Sequence, residues 1–236
     1  MRQEYVEYTH GNTLLEGFFA CDDASAGPKP GILIAHAWGG RTEFVIEKAK
    51  ELAALGYAAF ALDNYGKGVL GSGPEENSKL MAPFLEDRGL LRDRLTAGLD
   101  ALKRQSGVDA SRLAIMGYCF GGLCALDLAR SGADIRGAVS FHGLLMPPGL
   151  EQRPIKAKVL ALHGYADPMV PPQQVLDFGQ EMTEAGVDWQ LHAYGGVLHG
   201  FTMPEANDLK LGALYDASAA RRSWQAMRDF FQEIFA

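Results

Sequence analysis

Gly117-Tyr118-Cys119-Phe120-Gly121-Gly122 is the stretch on which the reading of this chain turns. It follows an apolar run at 112–116 and opens a segment of helical periodicity at 123–130. A nucleophile with a glycine two residues to either side, set between strand and helix, is the pattern of a strained turn that lifts one reactive side chain above a sheet. The glycines let the neighbouring strand and helix approach without Cβ clashes. Cys119 then lies at a helix N-terminus, where the dipole and unpaired N–H groups favour a thiolate and a developing oxyanion. The bland alternative is an inert cysteine buried in a glycine-rich turn, so the rest of the chain has to carry part of the weight.

Outward from this turn, short apolar runs alternate with amphipathic segments. The runs fall at 31–36, 58–62, 112–117, 135–141, 158–163 and 189–194, and the helical segments at 43–55, 89–103, 123–130, 173–185 and 219–234. Runs this short and continuously apolar suit strands covered on both faces. Their alternation with helices implies βαβ units and a mostly parallel sheet flanked by helices, an α/β fold. At the N-terminus, alternating residues on either side of His10-Gly11-Asn12 predict a β-hairpin at one edge of that sheet. A loop is expected at 22–30, and the Gly-rich 64–87 segment, with Pro74 and Pro83, reads either as a plain loop or as a lid.

No composition break divides the 236 residues, so a single domain over 1–236 is expected. Residues AVILMFWYC make up 47% and charged residues 22%, enough apolar material to exclude intrinsic disorder. Twenty-two Lys and Arg against 29 Asp and Glu give a net charge of −7, which argues against nucleic acid or an anionic membrane as partner. No eighteen-residue apolar stretch predicts a transmembrane helix. The first residues lack a signal-peptide core, and three cysteines are an odd count, so a cytoplasmic protein with reduced thiols is expected.

Two further loops complete a constellation. His163-Gly164-Tyr165-Ala166-Asp167-Pro168 follows the fifth parallel run and supplies an acid. Gly195-Gly196-Val197-Leu198-His199-Gly200-Phe201 follows the last run and supplies a histidine. Nucleophile, acid, histidine is the chain order this architecture imposes, and loops at the carboxyl ends of neighbouring strands converge where a ligand binds. Among the other histidines, His10 reads as a turn residue and His192 as a strand residue. His36 and His163 end strands, and His142 follows one near the predicted site. Neither a His-Glu-x-x-His nor a paired Cys-x-x-Cys motif occurs, so no metal or cofactor is expected.

These landmarks, with His163-Gly-x-x-Asp167-Pro168-x-Val170-Pro171 and Asp63-Asn64-Tyr65-Gly66, resemble the dienelactone hydrolase family, which belongs to the α/β-hydrolase superfamily and uses cysteine. The resemblance implies an α/β-hydrolase fold and a triad of Cys119, Asp167 and His199. It also implies an oxyanion hole formed by the backbone N–H groups of Trp38 and Phe120. The implied activity is cleavage of a small ester, lactone or thioester through a thioester acyl-enzyme. Trp38, Tyr65, Tyr118, Phe120 and Phe201 are candidates for the pocket wall. The sequence departs from the family twice. Ala37 stands where the family has a glutamate beside the cysteine, and Gly200-Phe201-Thr202-Met203 lacks the arginine that holds a substrate carboxylate; Lys67, Lys79 and Arg88 are possible substitutes. A non-catalytic binder of small molecules and a redox-responsive thiol are the competing readings. Monomer and homodimer remain equally open.

Overall fold

The computed structural model describes residues 1–22 and 27–236. Strands β1 (Arg2–His10) and β2 (Thr13–Cys21) form the expected hairpin, turned at Gly11 with φ 56°. The loop expected at 22–30 falls partly on residues 23–26, outside the described residues. Then follow β3 (Lys29–Ala35), α1 (Glu43–Ala54), β4 (Ala58–Ala61), α2 (Pro74–Glu86), α3 (Arg88–Lys103), β5 (Val108–Tyr118) and α4 (Phe120–Arg130). The chain closes with β6 (Gly137–Phe141), β7 (Lys158–Gly164), α5 (Pro172–Glu184), β8 (Trp189–Tyr194), the two-residue strands β9 (Asn207–Asp208) and β10 (Ala213–Leu214), and α6 (Ala217–Phe235).

Eight strands form one sheet in the order β1-β2-β4-β3-β5-β6-β7-β8. The hairpin occupies one edge and pairs antiparallel through β2 with β4, and every pair from β4 to β8 is parallel. Both faces of the central strands are covered, which is why β4 and β6 are buried along their whole length. On one face Val45, Ile46, Ala49 and Leu52 of α1 and Met227, Phe230, Phe231 and Ile234 of α6 pack on the sheet. On the other lie Leu91, Leu95, Leu99 and Leu102 of α3, most of α4, and Phe178 and Met182 of α5. Among the described residues no helix is long and apolar enough to cross a membrane.

The 64–87 segment is not a plain loop, because its second half is helix α2. Pro74 starts the helix at the first-turn position, where a missing N–H costs nothing. Only Phe84 of α2 is buried, against Tyr65 and Phe120. Met81 and Leu85, partly buried, pack on the same core, so the helix is held beside Tyr65 and Phe120.

Candidate active site

Cys119 stands between β5 and α4 with φ 57° and ψ −116°. Its bend is held from two sides. The Cys119 N–H donates to Phe141 O across the β5–β6 junction, and the Cys119 carbonyl accepts from Gly122 and Leu123 in the first turn of α4. The flanking glycines are a steric requirement. A Cβ on Gly117 would lie 2.0 Å from Gly121 O, and one on Gly121 would lie 2.1 Å from Ala35 O. The result is a half-buried thiol above the sheet, at the N-terminus of a buried helix.

Asp167 follows β7 and is fixed before it meets any partner. Its N–H donates to Gly164 O, and its Oδ1 accepts from the Met169 N–H at 2.8 Å. The remaining oxygen, Oδ2, lies 2.7 Å from His199 Nδ1, and both side chains are buried. An ionised carboxylate only accepts, so Nδ1 carries the proton and Nε2 is turned the other way. His199 itself is clamped by its backbone, donating to Gly212 O and accepting from the Leu214 N–H. Its Nε2 is buried with no aligned hydrogen bond, while the Cys119 sulfur lies within interaction range of the ring. Burial disfavours the charged ring. The hydrogen bond to Asp167 and the pull of the neighbouring Cys119 and Asp167 outweigh it, and the His199 pKa is pushed up to about 10.

The other histidines nearby are kept neutral. His142, at the end of β6, is fully buried, and its ring centroid is 5.2 Å from that of His199. Its Nε2 is 2.7 Å from Thr202 Oγ1, and burial, helped by the His199 charge, drives its pKa well below the ordinary value. Burial also lowers the pKa of His163, against the pull of Asp167. His142 and Cys119 are the two non-glycine residues with positive φ among the described residues, at the ends of adjacent parallel strands. The sequence placed His142 near the site and gave it no task; a lone histidine after a strand carries no stronger signal.

The loop after β3 faces the same sheet end. The Ala37 carbonyl accepts from the Gly40 N–H, the Trp38 carbonyl from the Tyr65 hydroxyl at 2.9 Å, and the Gly39 carbonyl from the Gly71 N–H. The N–H groups of Trp38 and Phe120 have no acceptor among the described residues. Trp38 and Tyr65 are partly buried, and Tyr65 stacks on Phe120. Three of the expected wall residues, Tyr118, Phe120 and Phe201, are buried core side chains. Tyr118 is buried on the opposite face, between Phe44 and Phe141, because successive strand residues point to opposite sides. Phe201 is core as well, wedged between His142 and Tyr194. None of the candidate substitute cations is at the site either. Lys67 pairs with Glu7 and Glu16, Lys79 with Glu75, and Arg88 is buried against Asp127.

Residues 15–235 match the model of the dienelactone hydrolase family. The chain belongs to the dienelactone hydrolase family. Its α/β-hydrolase fold superposes with a TM-score of 0.92 on a dienelactone hydrolase-like promiscuous phosphotriesterase from metagenomic libraries; that protein is 37% identical, over 99% of this chain and 98% of the other. A putative carboxymethylenebutenolidase of Aquifex aeolicus is 27% identical over 97% of both chains. A probable 2-oxo-3-(5-oxofuran-2-ylidene)propanoate lactonase of Bradyrhizobium is 28% identical over 74% of both. The family member described here is thus a hydrolase acting on ester or lactone bonds.

Proposed function

We propose that this dienelactone hydrolase-like enzyme cleaves small uncharged esters and lactones through a Cys119–His199–Asp167 triad and a thioester intermediate. The observation that carries the reading is the 2.7 Å bond from His199 Nδ1 to Asp167 Oδ2, which leaves Nε2 as the ring nitrogen available to the half-buried sulfur. His199, whose raised pKa keeps the proton drawn from Cys119 on its ring, leaves the sulfur to attack the substrate carbonyl carbon. The carbonyl π electrons move to oxygen, where the N–H groups of Trp38 and Phe120 receive them; one such donor contributes about 3–4 kcal/mol of barrier lowering. Collapse of the tetrahedral species expels the alcohol, protonated by His199. Water, activated by the same ring, then attacks the thioester and releases the acid and the free thiol.

Uncharged substrates follow from the cation placement. A carboxylate buried beside Cys119 would need a partner, yet the stretch after His199 carries none, and Lys67, Lys79 and Arg88 pair instead with Glu7, Glu16, Glu75 and Asp127. A neutral phosphotriester satisfies the same rule, and the 37% identical phosphotriesterase makes it a second substrate class to try. The test is a panel of p-nitrophenyl esters, a neutral lactone, a carboxylate-bearing lactone and a neutral phosphotriester, each assayed before and after alkylation of Cys119. Thiol-dependent turnover of the neutral members is expected. A preference for the carboxylate-bearing lactone would overturn the specificity, and turnover that survives alkylation would overturn the nucleophile.

A further inference from the structure

We infer that His36, a buried residue outside the triad, is a positioning residue that fixes the Trp38 N–H for the oxyanion, with Tyr65 as its second support; the inference rests on the hydrolase reading above. His36 directly follows β3 and is completely buried, so it touches no substrate. Its Nε2 lies 3.1 Å from the Asn64 N–H, and its Nδ1 lies 2.6 Å from Ala37 O. A backbone N–H can only donate, so Nε2 is the acceptor and Nδ1 carries the proton. The ring is thus a neutral imidazole that donates to the Ala37 carbonyl. Burial keeps it so, lowering its pKa against the pull of the Ala37 bond and Asp63, with Arg41 adding to the lowering.

The consequence for Trp38 is a matter of peptide geometry. Ala37 C=O and Trp38 N–H belong to one planar unit, and the described residues contain no cis peptide, so the two bonds point in opposite directions. Holding the carbonyl on His36 Nδ1 and the Gly40 N–H therefore aims the Trp38 N–H away from the His36 ring. The next peptide is held in the same way, its Trp38 carbonyl bound by the Tyr65 hydroxyl. The two supports brace each other: the Tyr65 ring sits edge-on to His36 at 4.8 Å and stacks on Phe120, the other donor residue, at 6.2 Å. Ala37 adds nothing polar to this arrangement, so the loop's orientation falls to His36 and Tyr65.

Two substitutions separate this role from mere packing. An asparagine amide can reach the place of Nδ1 and keep the donor to Ala37 O. A glutamine amide reaches the place of Nε2, keeps the acceptor for Asn64 and loses that donor. Acylation of Cys119 by p-nitrophenyl acetate builds an oxyanion, whereas alkylation by iodoacetamide does not. The expected result is that His36→Gln slows acylation at least about 10-fold, part of the loss seen when one oxyanion donor is removed. Alkylation should change by less than about 2-fold, and His36→Asn should recover most of the lost acylation. Tyr65→Phe should show the same split with a smaller loss. Equal acylation in His36→Gln and His36→Asn, or parallel loss of acylation and alkylation, would overturn the inference. The ring nitrogen NMR shifts of wild-type His36 decide it independently of activity: a protonated Nδ1 and bare Nε2 are required, and the other tautomer refutes it. A wild type that Cys119 does not acylate would instead overturn the hydrolase reading.

Discussion

Asp167→Asn should disable the enzyme by inverting a tautomer rather than by displacing a residue. Asp167 Oδ1 accepts the Met169 N–H at 2.8 Å, and an asparagine oxygen keeps that bond. The amide NH₂ then occupies the place of Oδ2, 2.7 Å from His199 Nδ1, and becomes a donor there. Nδ1 must turn acceptor, the ring proton moves to Nε2, and the nitrogen facing Cys119 can no longer take a proton. The carboxylate charge that helps hold the His199 pKa at about 10 disappears as well, while burial goes on pulling it down. Loss of the orienting acid in a serine triad costs about 10⁴ in kcat. A thiol depends less on a base, so a loss of about 10²–10³ in kcat is expected, equal to roughly 3–4 kcal/mol. The assay is steady-state hydrolysis of p-nitrophenyl acetate from pH 5 to 10. The high-pH limb expected near pH 10 for wild type should also move down by at least about one unit in the variant. A variant that keeps more than a tenth of wild-type kcat, with an unmoved high-pH limb, would refute the assignment of Asp167 as the group that sets the ring.

The same shift has a stability signature. The His199 pKa is raised on folding from about 6.5 to about 10, so its contribution is complete below pH 6.5 and is lost as pH rises through 10. The gap in urea stability between wild type and His199→Gln should narrow across that window; a constant gap would contradict the raised pKa. Arg88→Met should cost about 3–5 kcal/mol in the same assay, because Asp127 is buried and would be left with only the longer 3.5 Å contact to Arg130. A loss below about 1 kcal/mol would show the pair to be dispensable. Gly121→Ala should cost at least the roughly 1–3 kcal/mol of core overpacking, since its Cβ meets the Ala35 backbone at 2.1 Å. Native-like stability in that variant would mean that strand and helix do not approach as closely as described.

The readable parts of the sequence were those whose physics is local. The glycines at 117 and 121, the hairpin at Gly11 and the period of the apolar runs each impose one conformation, and the sheet follows from them. Helix α2 was not legible because Gly71 and Gly73 precede it, Pro83 lies inside it, and its apolar stripe is confined to the last turns at Met81, Phe84 and Leu85. The misplacement of Tyr118 was avoidable: strand alternation already sends it to the face opposite Leu113 and Ile115. Phe201, His36 and His142 are different. Their placement depends on contacts between residues at least 28 apart in sequence, Phe201 with His142, His36 with Asn64 and His142 with Thr202, and no local pattern announces such partners. The pairing of Asp167 with His199 was legible only as chain order, and the donor and acceptor roles of its atoms required the structure.

The measurement that bears most directly on the whole account is rapid-quench mass spectrometry of the full chain mixed with a p-nitrophenyl ester. The account predicts one acyl group on Cys119 that forms with the burst of p-nitrophenol, decays at the rate of steady-state turnover, and is absent in Cys119→Ala together with the turnover itself. Turnover that persists in Cys119→Ala, or an acyl group carried by another residue, would contradict it.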